Sequence, residues 1–182
     1  MSFIFDRGEL DAALKNLAQR LAADRLAVTI YVVGGGAVML SVRPDRGGTK
    51  DVDTWINADA ATKSAVQGHI EQMAAERGWT SDWMNENAKN YIPEAVSGDP
   101  SEWEPYIQVG EVVIVLGRAD VLLAMKLRAG RPIKDLPDLP SLVAAASVTN
   151  VAQAADIFET HYPHDVMKAA ARNWLLANLP RS

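Results

Sequence analysis

The sequence predicts an α/β fold, with a small mixed β-sheet, helices packed on it and a helical C-terminal part. Two short apolar runs rich in β-branched residues, over 26–33 and 111–116, are typical of buried strands. Leucines recur at helical spacing near the N-terminus, and the last third of the chain is rich in alanine with helical periodicity. We expect a main domain over residues 1–142 and a helical extension over 143–182, packed together as a single structural unit.

The first half of the chain alternates helix and strand. Asp6 followed by Glu9 is a capping signal that starts an amphipathic helix. Four further elements are expected: a buried strand, a short helix, a partner strand and a longer helix, over residues 26–33, 36–42, 52–56 and 59–77. Gly78 fits the end of the longer helix, because glycine readily takes the left-handed turn found there.

The second half is less regular at first and then helical. Residues 79–110 combine tryptophans, asparagines and prolines, which favours irregular structure with short strands. A strand over 111–116 follows, and Asp120 is expected to cap the next helix, which contains Lys126. Three more helices are expected over residues 134–146, 151–160 and 165–178.

Composition narrows the possible functions. Lysine and arginine number 18 against 23 aspartates and glutamates, and the resulting charge of −5 argues against a dominant sequence-independent grip on nucleic acid. Without cysteine the chain forms no disulfide and no thiolate zinc site. No stretch approaches the ~18 apolar residues of a membrane span, and no secretory leader is visible at the N-terminus. We expect a soluble, cytoplasmic protein.

Three glycines and two aspartates form the most informative pattern. Gly34–Gly36 follow the first strand, and Asp51 and Asp53 open the next one. Side chains alternate along a strand, so the two carboxylates point the same way and repel each other. Mg²⁺ (or Mn²⁺) removes that repulsion, since it takes one or two carboxylates and completes its shell with phosphates and water. The glycines let the backbone approach a phosphate, and a following helix start offers N–H groups to an anion.

Each half of this pattern also has a simpler interpretation. A triple glycine is often only a flexible turn, and an Asp-x-Asp pair is often solvated loop. Their order and spacing favour a site for a nucleoside triphosphate with its metal.

The run over residues 32–56 resembles the signature of the nucleotidyltransferase superfamily, in which an apolar strand ends in a glycine pair and a second strand carries Asp-x-Asp. With Gly35 and Gly36 as that pair, the gap to Asp51 is similar to that of the branch containing AbiE-type toxins and related minimal nucleotidyltransferases. Thr49 lies where that branch often has a threonine, and the resemblance implies that it contributes to nucleotide binding.

A second stretch, over 119–139, resembles the same branch's helix with a lysine followed by a basic residue and an aspartate. The whole resemblance covers roughly residues 28–142. It implies that Lys126 contacts nucleotide phosphates and that Asp135 lies near the active site, where it orients Lys126 or helps to accept a proton.

The chain departs from the pattern in two places. Family members often carry an arginine just before the threonine, whereas Gly47–Gly48 occupy that place here and the nearest candidates are Arg43 and Arg46. Many active members also have a third carboxylate on a later strand. The candidates for it are Glu102, Glu104 and Glu111.

The leading hypothesis is metal-dependent nucleotidyl transfer from a nucleoside triphosphate to an RNA, such as a transfer RNA end, or to a protein side chain. By resemblance, the setting would be a toxin–antitoxin locus with a cognate partner. A catalytically inactive binding or antitoxin module is the alternative, and a metal-dependent phosphohydrolase is a weaker one. The nucleotide, the acceptor, the oligomeric state and the role of residues 79–110 stay open.

Overall fold

The computed structural model describes residues 3–181, which form a five-stranded mixed sheet and seven α-helices. This confirms the predicted α/β class. The described residues form two compact units. The first runs to Asn90 and also includes residues 98–117, and the second consists of residues 91–97 and the residues from Arg118 onward. The predicted boundary between 142 and 143 does not coincide with this division and stays a prediction. Its outer limits, Met1 and Ser182, lie outside the described residues.

The first unit contains the sheet and three helices. In chain order its elements are α1 (Arg7–Ala23), β1 (Val28–Val33), α2 (Gly34–Leu40), β2 (Val52–Asn57), α3 (Ala60–Arg77), β3 (Met84–Asn85), β4 (Glu104–Val109) and β5 (Val112–Leu116). The strand order is β3-β2-β1-β5-β4. The central strand β1 is antiparallel to β2 and parallel to β5.

Local signals account for most of these boundaries. The Asp6 carboxylate accepts the Glu9 N–H at 2.8 Å, and the Glu9 carboxylate accepts the Asp6 N–H at 3.0 Å, so the predicted capping box is present. Asp59 caps α3 by accepting from the Thr62 N–H, and Gly78 ends it at φ 68°. The predicted strands and helices of this half are confirmed to within two residues at most ends.

The register of β1 against β2 decides which side chains share a face. Tyr31 lies opposite Trp55, and Val33 lies opposite Asp53. Because directly opposed residues point to the same side of a sheet, these four side chains share one face, called here the acidic face. The other face of β2 carries Val52, Thr54 and Ile56, all of them buried.

The segment 79–110 is more regular than expected. It contains single 3₁₀ turns and the two-residue β3, but also the six-residue strand β4. Pro105 in β4 obscured that strand in the sequence, yet β4 is an edge strand, where proline costs no ladder hydrogen bond. Trp83 and Trp103 are buried in the core, and the Trp83 Nε1–H donates to the Ile70 carbonyl at 3.0 Å.

The second unit is helical. Its helices are α4 (Ala119–Ala129), α5 (Leu139–Ala145), α6 (Val151–His161) and α7 (Ala169–Asn178). The expected cap at Asp120 is wrong, because α4 begins two residues earlier than that role requires: its N-cap is Arg118, and Asp120 lies in the first turn. Helix α7 also begins later than expected, at Ala169, since the Lys168 N–H bonds to the Leu127 carbonyl.

The short segment Tyr91–Ser97 belongs to the second unit. The Tyr162 hydroxyl donates to the Tyr91 carbonyl, and the Arg128 guanidinium lies over both tyrosine rings, 5.3 Å and 4.7 Å from their centroids. Arg128 also pairs with Asp165 at 2.7 Å. None of the helices formed by residues 3–181 has the length and apolar character needed to cross a membrane.

Candidate active site

The three glycines Gly34–Gly36 form the first turn of α2, called here the glycine turn. This turn is in direct contact with Asp53. Strand β1 ends at Val33, and Gly34 then takes φ +66°, a conformation that favours glycine. A Cβ atom on Gly34 would collide with the Asp53 carboxylate. Glycine is therefore required at this position both by the backbone and by the side chain that lies against it.

The two aspartates flank Val52 at the start of β2. Asp53 is half-buried on the strand, Asp51 is exposed one residue before it, and Val52 between them is fully buried. Thr54 fixes the next position, since it is buried and its hydroxyl donates to the Asn85 carbonyl at 3.0 Å. The strand that carries the carboxylates is thus anchored on its core side.

The positively charged guanidinium of Arg46 lies at the glycine turn. A Cβ atom on Gly35 would come within 2.8 Å of Nη2 of Arg46, so the guanidinium occupies the space that a side chain would take. Nη1 of Arg46 donates to the Gly48 carbonyl at 2.7 Å, which folds the loop back toward the turn. Arg46, one of the two arginines left open by the sequence, therefore lies at this turn.

Thr49 holds the main chain before the aspartates. Its hydroxyl donates to the Asp51 carbonyl at 2.8 Å, and its backbone exchanges two hydrogen bonds with Phe5, at 2.7 Å and 3.0 Å. These contacts position Asp51. Direct binding of a nucleotide by Thr49 stays a prediction.

Glu104 does not provide a third carboxylate on the face that carries Asp53. It lies opposite Leu116, which lies opposite Val32, and Val32 in turn lies opposite Thr54. Because each opposed pair shares a face, Glu104 is on the other side of the sheet from Asp53.

The other two candidates for a third carboxylate differ in their positions. Glu111 lies at the opposite end of the sheet, where its carbonyl accepts the N–H of Val28 at the start of β1. Glu102 is exposed in a 3₁₀ turn. Within residues 3–181 no group of three histidines, aspartates or glutamates is arranged to hold a metal. Asp51, just before β2, and Asp53, on β2, offer two carboxylates, a number that fits a single Mg²⁺ taking its other ligands from phosphates and water.

Lys126 and Asp135 form a buried ionic network in the second unit. Nζ of Lys126, which is only 5% exposed, lies 2.9 Å from Oδ1 of Asp135 and 3.1 Å from Oδ2 of Asp138. Asp135 also accepts from Nε of Arg131 at 2.8 Å and from the Arg131 backbone N–H at 2.9 Å. Both aspartates are at most 1% exposed.

The network lowers the pKa of Asp135. Burial by itself raises the pKa of Asp135, but the hydrogen bonds from Arg131 and the charge of Lys126 outweigh it, so the pKa is lowered below its ordinary value. The family resemblance assigned no role to Asp138. Asp138 follows Asp135 by only three residues, so the same short segment carries both carboxylates that pair with Lys126. Contact of Lys126 with nucleotide phosphates stays a prediction.

The glycine turn leads to a testable prediction with a matched control. Gly34→Ala and Gly78→Ala both place alanine at a positive φ, 66° and 68°, and each should cost about 1–2 kcal/mol of stability. Only Gly34→Ala also displaces the Asp53 carboxylate, since a Cβ on Gly78 meets nothing within 4 Å. We therefore expect Gly34→Ala to lose Mn²⁺ binding and Gly78→Ala to retain it. The measurements are urea unfolding and Mn²⁺ titration followed by electron paramagnetic resonance, and equal Mn²⁺ affinity in the two variants would contradict the prediction.

Comparison of the chain with known proteins finds a structural likeness but no sequence match. No family model and no curated protein sequence matches the chain. Among solved structures, the chain is similar to an antigenic nucleotidyltransferase-like protein from Paracoccidioides brasiliensis, at 15% sequence identity and a TM-score of 0.49, over 98% of this chain and 97% of that one. The function proposed below rests on the residues of the site and not on this likeness.

Proposed function

We propose that this protein is a metal-dependent nucleotidyltransferase that transfers a nucleoside monophosphate from a nucleoside triphosphate to an acceptor hydroxyl. The observation that carries the proposal is the contact of the Asp53 carboxylate with Gly34 at the end of β1. It puts a carboxylate beside a main-chain turn that a phosphate can approach closely. The motif resemblance over residues 32–56 supports the same activity.

Asp51 and Asp53 would hold one Mg²⁺ or Mn²⁺. When bound, the cation neutralises phosphate charge and lowers the pKa of the attacking hydroxyl. The glycine turn receives phosphate oxygens close to its backbone, and the guanidinium of Arg46 next to Gly35 adds positive charge there. Thr49 and Thr54 fix the main chain on either side of the two carboxylates.

In the proposed reaction, one bond to the α-phosphorus forms and another breaks. The acceptor oxygen forms a bond to the α-phosphorus, and the bond from that phosphorus to the oxygen bridging to the β-phosphate breaks. Pyrophosphate leaves, and the proton of the hydroxyl passes to water. Such transfers depend on positioning and charge stabilisation more than on covalent chemistry by the protein.

We propose an RNA end, such as that of a transfer RNA, as the acceptor, with a protein side chain as the alternative. A toxin–antitoxin pairing remains part of the proposal through the resemblance, and a cytoplasmic location remains part of it through the sequence composition. The net charge of −5 favours an acceptor recognised over a small local area rather than along an extended phosphate backbone.

One observation favours a second candidate function, a nucleotide-binding module without turnover. Glu104 lies on the face opposite Asp53, and within residues 3–181 no group of three carboxylates or histidines is placed to hold a metal, as a site built for two metals would require. Such a module would bind nucleotide and metal through the same residues and form no product.

The test is incubation of the protein with each α-labelled nucleoside triphosphate, Mg²⁺ or Mn²⁺, and total RNA or cell lysate. The double variant Asp51→Asn, Asp53→Asn serves as the inactive reference. Label that enters RNA or protein only with the parent chain supports the proposal and identifies the nucleotide. Nucleotide binding without any product favours the binding module, and release of free nucleotide without an adduct indicates a phosphohydrolase.

A further inference from the structure

An aromatic side chain lies next to Asp53 on the acidic face. Trp55 follows Asp53 by two residues on β2, so the two side chains point the same way. Tyr31 lies opposite Trp55 on β1 and stacks on it, with ring centroids 4.7 Å apart and planes 23° apart. Trp103 packs edge-on against Tyr31 at 4.9 Å.

The three rings differ in their exposure. Tyr31 is fully buried and Trp103 is 3% exposed, whereas Trp55 is only half-buried. Gly98 passes close to the edge of the indole, since a Cβ there would lie 3.8 Å from Cη2 of Trp55. Tyr31 thus supports the indole from one side while part of it stays accessible, which makes a rigid surface on which a planar group can stack with little loss of side-chain entropy.

The spacing along β2 suits a nucleotide. A strand rises about 3.3 Å per residue, so Trp55 lies about 6.6 Å beyond Asp53. This separation is close to the length of the ribose between the α-phosphate and the base. With its phosphates at Gly34 and Asp53, a nucleoside triphosphate directed along β2 therefore brings its base to Trp55.

We propose that Trp55 is the stacking platform for the base of the nucleoside triphosphate, with Tyr31 as the positioning residue beneath it. This inference rests on the proposed function, because it places the phosphates at the glycine turn. Stacking accepts any base, since every base has a π-face. The platform therefore contributes to affinity for a nucleotide over a bare phosphate chain rather than to choice among the four bases.

The test compares two ligands by calorimetry in the presence of Mg²⁺: ATP and inorganic tripolyphosphate, which has no base. We expect Trp55→Leu to weaken ATP binding by about fivefold or more, the usual loss when a stacked aromatic side chain is removed, and to leave tripolyphosphate binding unchanged. Trp55→Phe keeps a ring and should retain most of the affinity for ATP. Trp174→Leu changes another half-buried tryptophan, in α7, and should affect neither ligand.

A second measurement does not depend on the folding of Trp55→Leu. ATP, but not tripolyphosphate, should quench tryptophan fluorescence in the parent chain, and this quenching should be absent in Trp55→Phe. The inference is overturned if ATP binds the parent and Trp55→Leu equally well, or if both ligands weaken together. If the parent binds neither ATP nor tripolyphosphate, the proposed function fails with it, and that outcome is distinct from the loss of the base contact alone.

Discussion

Replacement of Asp53 by asparagine should lower the rate of nucleotidyl transfer by more than about a hundredfold while the fold stays intact. Loss of a residue that only supports a metal ligand typically costs 10- to 100-fold, and Asp53 would be a ligand itself. Asparagine keeps the size of the side chain, so its contact with Gly34 and the pairing with Val33 should survive. Asp51→Asn should act in the same direction.

The matched control for this prediction is Asp45→Asn, which removes an exposed carboxylate from the loop between α2 and β2. It should retain the parent rate. Initial rates of label transfer, Mn²⁺ titration and thermal unfolding are measured on all three variants. An Asp53→Asn variant that keeps its rate within a fewfold of the parent would remove the aspartate from the site.

Replacement of Lys126 by methionine should destabilise the protein by roughly 3–5 kcal/mol, because it leaves two buried carboxylates without their shared cation. Asp135 and Asp138 are at most 1% exposed and lie 2.9 Å and 3.1 Å from Nζ of Lys126. A loss of this size is a large part of the 5–15 kcal/mol by which domains are typically stable. Urea unfolding with Lys134→Met as the control measures it, since Lys134 is exposed and its replacement should change stability by less than about 0.5 kcal/mol.

The effect of Lys126→Met should also depend on pH. The pKa of Asp135 is lowered in the native parent, where Arg131 and Lys126 outweigh the effect of burial, so its contribution to stability is present above the ordinary value of 3.8 and is lost as the pH falls below it. In the variant the charge of Lys126 no longer lowers the pKa of Asp135, so that carboxyl group takes up its proton at a higher pH than in the parent. The difference in unfolding free energy between the two proteins should therefore shrink on acidification. A difference below about 1 kcal/mol at neutral pH, or one that grows in acid, would show that the network is not what holds this part of the fold.

Local features were predictable from the sequence. The capping box at Asp6 and Glu9 and the burial of Val52 between two more accessible aspartates depend only on residues close together in the chain. The period of two in a strand places Asp53 on the face opposite Val52, whereas Asp51 precedes the strand and its alignment with Asp53 stays a prediction. The same holds for the glycine turn after β1, whose position follows from the end of an apolar strand.

Features that depend on the register of distant strands were not predictable. The face on which Glu104 lies is set by the pairing of β4 with β5, and that pairing shifts between Pro105 and Ile107. The approach of Arg46 to Gly35 depends on the path of a loop in which Gly48 takes φ +97°. The stacking of Tyr31 on Trp55 likewise requires the antiparallel register of β1 and β2, which neither strand encodes alone.

The most direct test of nucleotidyl transfer follows two labels on the same nucleoside triphosphate. One sample carries the label on the α-phosphate and the other on the γ-phosphate, each with Mg²⁺, total RNA and the parent chain or the variant Asp51→Asn, Asp53→Asn. We expect the α label to enter the acceptor and the γ label to leave in pyrophosphate, with neither event in the variant. Release of the γ label as orthophosphate while no acceptor gains the α label would contradict it.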